Sequence, residues 1–135
     1  MAQKLLLTVT AIAEGGFGIL LLVVPSLPRA LILGVDQSAP AALVFARILG
    51  AALVAIGFSC WRLRGDRFGR AQGGLIWEML FYNASAAAIL GYAGVSTALV
   101  GVALWPGVAF HAAMAAWCIA CLRTAPASTS GTNEE

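Results

Sequence analysis

Four long apolar stretches dominate this chain, and they constrain its fold more than any other feature. A helix needs about 20 mostly apolar residues to cross the roughly 30 Å hydrocarbon core of a bilayer. The stretches at residues 5–24, 41–61, 71–93 and 105–122 have about this length. With 61% hydrophobic and 10% charged residues among 135, the chain is too apolar for an ordinary soluble domain. The sequence therefore predicts an all-α integral membrane four-helix bundle within residues 1–123.

The start of the fourth span has two interpretations. Residues 96–104 are also apolar, and Trp105 and Pro106 follow them. Proline is favoured at a helix start and tryptophan at the membrane interface, so we expect the helix to start near Trp105. Residues 96–104 would then form an interfacial turn or a short helix. The alternative is one longer helix that is kinked at Pro106.

The two ends of the chain are expected to differ. Residues 5–24 are too long a run for a typical signal peptide and contain Glu14, so we expect them to remain as the first helix. Residues 124–135 are rich in Ser, Thr, Ala and Gly. They contain too little apolar surface to fold, so we expect a disordered tail.

The lysines and arginines predict the orientation of the helices. One side of the predicted bundle carries six of them, namely Lys4, Arg62, Arg64, Arg67, Arg70 and Arg123, whereas Arg29 alone lies in a loop on the other side. Cytoplasmic loops of membrane proteins carry an excess of such residues. Both termini and the basic loop are therefore predicted to be cytoplasmic, in a multi-pass protein of a bacterial-type cytoplasmic membrane. The bilayer lipids are its first expected partner.

Ionisable residues inside the apolar stretches indicate a functional centre. Glu14, Arg47, Glu78 and His111 each lie inside one of the four spans. A charged side chain at the centre of a span costs roughly 2.5 to 3.5 kcal/mol on insertion scales, so such residues usually face protein or water and serve a function. The pattern favours a buried polar site within the bundle.

Helical periodicity predicts which of these side chains share a face. Residues four apart on a helix form a stripe, and the stripes contain Thr10, Glu14 and Gly18; Arg47, Gly50, Val54, Gly57 and Trp61; Gly74, Glu78, Tyr82 and Ser85; and Gly107, His111, Ala115 and Cys118. Asn83 lies about 140° around its helix from Glu78. From their depths we expect an outer group of Arg47, His111, Glu14 and Asn83, with Glu78 and Tyr82 beneath it.

These residues receive distinct predicted roles. Arg47 needs a carboxylate, carbonyls or an anionic ligand, and Glu14 is its expected partner. Asn83, Tyr82 and Trp77 are the other candidate ligand-binding residues. A Glu14–Arg47 pair that only joins two helices is the structural alternative. If the protein is an enzyme, the candidate acids and bases are His111, Glu14 and Glu78.

Metal and cofactor chemistry have little support in the sequence. His111 is the only histidine, and the chain lacks metal-ligand spacing and a glycine-rich phosphate loop. We expect no metal site, no cofactor and no nucleic-acid partner. Cys118 and Cys121 form a C-x-x-C pair, but a second external cysteine pair is missing, and Cys60 stands apart. They are predicted to lie at the cytoplasmic end of the last span, where thiols stay reduced. We therefore interpret them as packing residues.

Two family resemblances follow from short motifs. The segment Ala11 to Glu14, with Gly18 one turn later, resembles the first helix of small multidrug resistance transporters, but Arg47 would repel the cations that those proteins carry. The four short spans, the Pro-containing first external loop and Ala46-Arg47 followed by Gly50, Leu53 and Gly57 resemble DoxX-like bacterial membrane proteins. This resemblance implies a four-helix membrane fold and an association with redox complexes and quinones.

Three functions remain open on the sequence. The favoured hypothesis is a small binding or accessory protein whose polar site holds an amphipathic or anionic lipid-soluble ligand, such as a lipid or a quinone-like molecule. The second is an intramembrane enzyme that uses His/Glu acid-base catalysis on a lipophilic substrate. The third is a proton-coupled transporter formed by dimerisation. A second copy of the chain or another membrane subunit is the further expected partner.

Overall fold

The structure consists of helices joined by short connections. The computed structural model describes residues 1–35, 39–66, 70–97 and 100–124. Within these ranges there are five helices and no strand: α1 (Ala2–Val23), α2 (Ser26–Leu33), α3 (Pro40–Leu63), α4 (Arg70–Ser96) and α5 (Leu104–Arg123). This confirms the all-α prediction for the described part of the chain. Arg67 and residues 125–135 of the predicted tail (residues 124–135) lie outside the described residues.

Three helices are long and apolar enough to cross a membrane, namely α1, α3 and α5. Helix α4 is the longest at 27 residues but is not among the three. It is more polar because it carries Gln72, Glu78 and Asn83. The bounds of the four long helices are nevertheless close to the bounds of the four predicted spans. The finding supports a membrane protein, and the crossing by α4 stays a prediction.

Helix α5 begins at Leu104, with Pro106 in its first turn. Residues 100–103 before it are not helical, so one continuous helix kinked at Pro106 does not describe this segment. Proline is tolerated there because the first backbone N–H groups of a helix have no partner within that helix. The proline therefore marks a helix start.

Large apolar side chains cover the outside of the molecule. Exposed examples from four helices include Ile12, Ile19, Phe45, Ile48, Phe58, Trp77, Phe81, Ile89 and Phe110. Soluble proteins rarely expose contiguous apolar surface on this scale, because water disfavours it. The hydrocarbon chains of a bilayer do not disfavour apolar side chains, so this surface also supports a membrane location.

The long helices form two close pairs, α1 with α3 and α4 with α5. The pairs meet in the half of the molecule where α1 begins and α5 ends, which we call the packed half. A core of buried residues fills it, namely Leu6, Leu7, Cys60, Leu75, Ile76, Met79, Met114, Cys118 and Cys121. In the opposite half, which we call the open half, the pairs separate.

Glycines bring α1 and α3 into backbone contact. A Cβ atom added to Gly18 would lie 2.7 Å from the carbonyl oxygen of Gly50, and one added to Gly50 would lie 2.7 Å from the carbonyl oxygen of Gly18. A Cβ atom on Gly57 would meet the backbone nitrogen of Gly15 at 2.9 Å. Close approach through small residues is a common way for membrane helices to pack.

We predict that Gly50→Ala destabilises the protein by about 1–3 kcal/mol, because the two backbones must move apart. The matched control is Gly16→Ala, since no atom lies within 4 Å of a Cβ at Gly16. Alanine also favours a helix over glycine, so the control is expected to be neutral or slightly more stable. Thermal unfolding in detergent measures both. Equal unfolding midpoints for the two variants would contradict the close α1–α3 contact.

Candidate functional site

A cavity of about 620 Å³ lies in the open half of the molecule, between the two helix pairs. Its walls come from all five helices, and most of the side chains are apolar, for example Phe17, Leu20, Leu53, Ile89 and Leu90. The polar side chains on the wall are Glu14, Tyr82, Ser85 and His111. The cavity exists because the two helix pairs diverge from the core of the packed half toward the open half.

Helix α2 covers the cavity on the side away from that core, with Pro28, Leu31 and Ile32 in its lining. The segment before α5 holds α2 in place. The backbone N–H of Gly101 donates to the carbonyl of Ile32 at 3.0 Å, and the N–H of Ala103 donates to the carbonyl of Leu31 at 2.8 Å. A Cβ atom on Gly101 would collide with the Leu31 carbonyl, so this contact requires glycine.

Helix α2 was not predicted from the sequence. Its eight residues are too few for a membrane span, and only the proline and glycine at its ends indicate it. Proline precedes it at position 25, and Gly34 ends it with a left-handed φ of 68°. Proline at the start and glycine just past the end is a typical signature of a short helix. That signature was the signal available in the sequence.

Glu14 receives a hydrogen bond from Tyr82 on the opposite pair of helices. The Tyr82 hydroxyl donates to Glu14 Oε2 at 3.1 Å. The Glu14 side chain is only 4% exposed. A buried carboxyl group without a partner is costly, so this bond stabilises the position of α1 against α4. The sequence placed Glu14 in a buried polar group, and the structure identifies Tyr82 as its partner.

Asn83 and His111 form a second polar pair, between α4 and α5. The Asn83 side chain is fully buried. Its Nδ2 donates to the carbonyl of Met79 at 2.8 Å, and its Oδ1 lies 2.8 Å from His111 Nδ1. The His111 ring also meets the rings of Tyr82 and Phe110 edge to face, with centroids 5.6 and 5.5 Å apart. These contacts fix both the position and the orientation of the imidazole.

Arg47 does not join this group, contrary to the prediction. It is exposed, and its Nε donates to the carbonyl of Leu22 at 3.4 Å. Leu22 lies in the last turn of α1, where carbonyls lack partners in the helix and cations are favoured. The guanidinium therefore contacts a helix end rather than Glu14. It also does not line the cavity.

The register of α3 explains this difference. The buried residues of α3 are Ala46, Gly50, Leu53, Gly57 and Cys60. The predicted stripe of Arg47, Gly50, Val54, Gly57 and Trp61 shares only the two glycines with it. Because successive residues are about 100° apart, the backbone contact at the glycines turns Ala46 inward and Arg47 to the side.

Glu78 and Trp77 also lie outside the site. Both side chains are exposed, Trp77 by 62%. Their neighbours Ile76 and Met79 occupy the core instead, which turns positions 77 and 78 away from it. Neither residue lines the cavity, so the acid-base role considered for Glu78 and the ligand contact considered for Trp77 have no geometric support.

The cysteines are free and buried in the packed half. The Cys60 thiol lies 3.8 Å from the Met79 sulfur, in the orientation of a weak hydrogen bond. Across the described ranges, no group of three or more His, Cys, Asp or Glu side chains is arranged to hold a metal ion. The cysteines thus act as apolar packing residues in this structure.

No family model, curated protein or solved structure matches this chain. The DoxX-like and transporter resemblances therefore stay predictions.

We predict that Tyr82→Phe destabilises the protein by about 1–3 kcal/mol, because the buried Glu14 loses its hydrogen-bond donor. Tyr92→Phe on the same helix is the matched control, since the Tyr92 side chain is 70% exposed. Unfolding in detergent with increasing denaturant compares them. A Tyr82→Phe protein that is as stable as the Tyr92→Phe protein would show that the bond contributes nothing.

Proposed function

We propose that this protein binds a lipophilic molecule with a small polar end in the cavity between the α1–α3 and α4–α5 pairs. One observation carries the proposal: Glu14, Tyr82 and His111 gather on the wall of a cavity that is otherwise almost entirely apolar. Its volume of about 620 Å³ falls within the roughly 300–1,000 Å³ typical of small-molecule sites. The polar end of the ligand would contact these three side chains.

The lining favours a neutral ligand over an anionic one. Arg47, the residue expected to attract an acidic group, contacts the Leu22 carbonyl and is absent from the cavity wall. A carboxyl group, that of Glu14, is present there instead. The ligand class is therefore narrower than the sequence suggested, namely a lipid-soluble molecule with a hydrogen-bonding but uncharged head.

We further propose that the four long helices cross a bacterial cytoplasmic membrane with both termini in the cytoplasm. The basic residues support this orientation, because Lys4, Arg62, Arg64, Arg70 and Arg123 lie at the ends of helices in the packed half. Among the described residues, Arg29 and Arg47 are the basic residues in the open half, and Arg47 lies within α3 rather than in a loop. The cavity would then open toward the outer leaflet.

Reporter fusions test this orientation. We expect green fluorescent protein fused after residue 124 to fluoresce in bacteria, and alkaline phosphatase at the same position to be inactive, because the former matures in the cytoplasm and the latter requires export. The reverse pattern would contradict the proposed topology.

An intramembrane enzyme is the second candidate. Its support is that two acid-base side chains, Glu14 and His111, line one cavity where they would reach the same ligand. Chemical conversion of a bound molecule would distinguish this from simple binding. The transporter hypothesis has less support, because the core of the packed half closes the path toward the proposed cytoplasmic side.

We predict that Ala86→Phe strongly weakens binding, because Ala86 lies on the cavity wall and the added ring would occupy part of the cavity. Ala88→Phe is the matched control, because Ala88 is exposed on the same helix. The measurement is native mass spectrometry of protein in lipid nanodiscs with added 4-octylphenol. We expect at least about a tenfold lower bound fraction for Ala86→Phe and no change for Ala88→Phe. Equal binding by both variants would contradict the proposed site.

A further inference from the structure

We propose that the ligand carries a hydroxyl group, either an alcohol or a phenol, and that this group donates a hydrogen bond to Nε2 of His111. The inference rests on the proposed function, because it names the class of molecule that the same cavity accepts. It is carried by a chain of hydrogen bonds that sets which nitrogen of His111 holds the proton.

The Met79 carbonyl fixes the orientation of the Asn83 amide. A main-chain carbonyl can only accept a hydrogen bond, so the Asn83 atom that lies 2.8 Å from the Met79 carbonyl must be the NH₂ group. A flipped amide would place two oxygen acceptors against each other. Asn83 therefore presents its oxygen to His111.

The Asn83 amide in turn sets the tautomer of the His111 imidazole. Asn83 Oδ1 lies 2.8 Å from His111 Nδ1, and because an amide oxygen can only accept, Nδ1 must carry the proton. In the neutral ring the other nitrogen, Nε2, then has a free lone pair. Asn83 acts as a positioning residue that sets the tautomer.

The side chains that line the cavity include hydrogen-bond acceptors. His111 lines the cavity, and within the described residues its Nε2 has no hydrogen-bond partner. The proton of the Tyr82 hydroxyl is directed to Glu14, so the Tyr82 oxygen faces other groups as an acceptor. Ser85 supplies a hydroxyl that can turn either way. Nε2 of His111 and the hydroxyl oxygen of Tyr82 are thus acceptors on two of the side chains that line the cavity.

A ligand that matches these acceptors must carry a hydrogen-bond donor. A hydroxyl group supplies one O–H to Nε2 and can still accept a bond through its own oxygen. A ligand whose head contains only ether or carbonyl oxygens would leave Nε2 without a partner and lose that interaction. Rejection of molecules that lack a required donor is a strong source of specificity in buried sites.

The tautomer is tested first, on the unmodified protein. His111 is the only histidine of the chain, so ¹⁵N-histidine labelling gives the signals of one imidazole. At pH 8.5 we expect the proton on Nδ1 and none on Nε2. Asn83→Leu should remove this preference and give a mixture of both tautomers. A proton on Nε2 in the unmodified protein would overturn the inference.

The ligand class is tested with two probes, 4-octylphenol and its methyl ether 4-octylanisole, each corrected for its partition into empty nanodiscs. We expect the unmodified protein to bind the phenol about tenfold more tightly, as one additional hydrogen bond predicts. His111→Phe keeps a ring in place but should bind both probes equally.

The outcomes separate the two claims. Equal binding of both probes by the unmodified protein overturns the hydroxyl inference and leaves the binding function intact. Binding of neither probe contradicts the proposed function as well. The probe comparison and the tautomer measurement on the unmodified protein do not depend on any variant folding.

Discussion

A buried carboxyl group needs a hydrogen-bond partner, and the arrangement of this protein depends on the partner of Glu14. Tyr82 donates to it from the other pair of helices. The bond joins α1 to α4 at a depth where the pairs are otherwise diverging. Below it, the core of the packed half holds the pairs together through apolar contacts. Above it, the helices separate and leave a cavity, so the polar contact lies at the boundary between a packed and an open region.

The residues that could be predicted from sequence are those governed by local rules. Apolar length located the four long helices, and the cost of polar groups in lipid indicated that Glu14, Asn83 and His111 are turned inward. Arg47 and Glu78 could not be placed, because tertiary contacts set how a whole helix is rotated about its axis. A shift by one residue changes a side chain's direction by about 100°. The backbone contact between Gly18 and Gly50 determines that rotation for α3. Helix α2 was missed because eight residues carry too little periodic signal.

Some polar side chains line the cavity, and others orient those that do. Asn83 is fully buried and contacts His111 from behind, whereas His111 itself borders the cavity. Glu14 and Tyr82 hold each other across the gap and also present atoms to the same space. Each group that would touch a ligand is thus oriented by a neighbour, which is the usual requirement for selective binding. Arg47 contacts a helix end elsewhere and does not line the cavity.

The central claim is that the helix pairs enclose a ligand site in the open half. A crystal structure of the protein grown in a lipid mesophase tests it most directly. The account predicts separated α3 and α4 helices with elongated density in the cavity, whose polar end lies within hydrogen-bond distance of His111. Direct packing of α3 against α4 along their full length, with no space beside Glu14 and Tyr82, would contradict it.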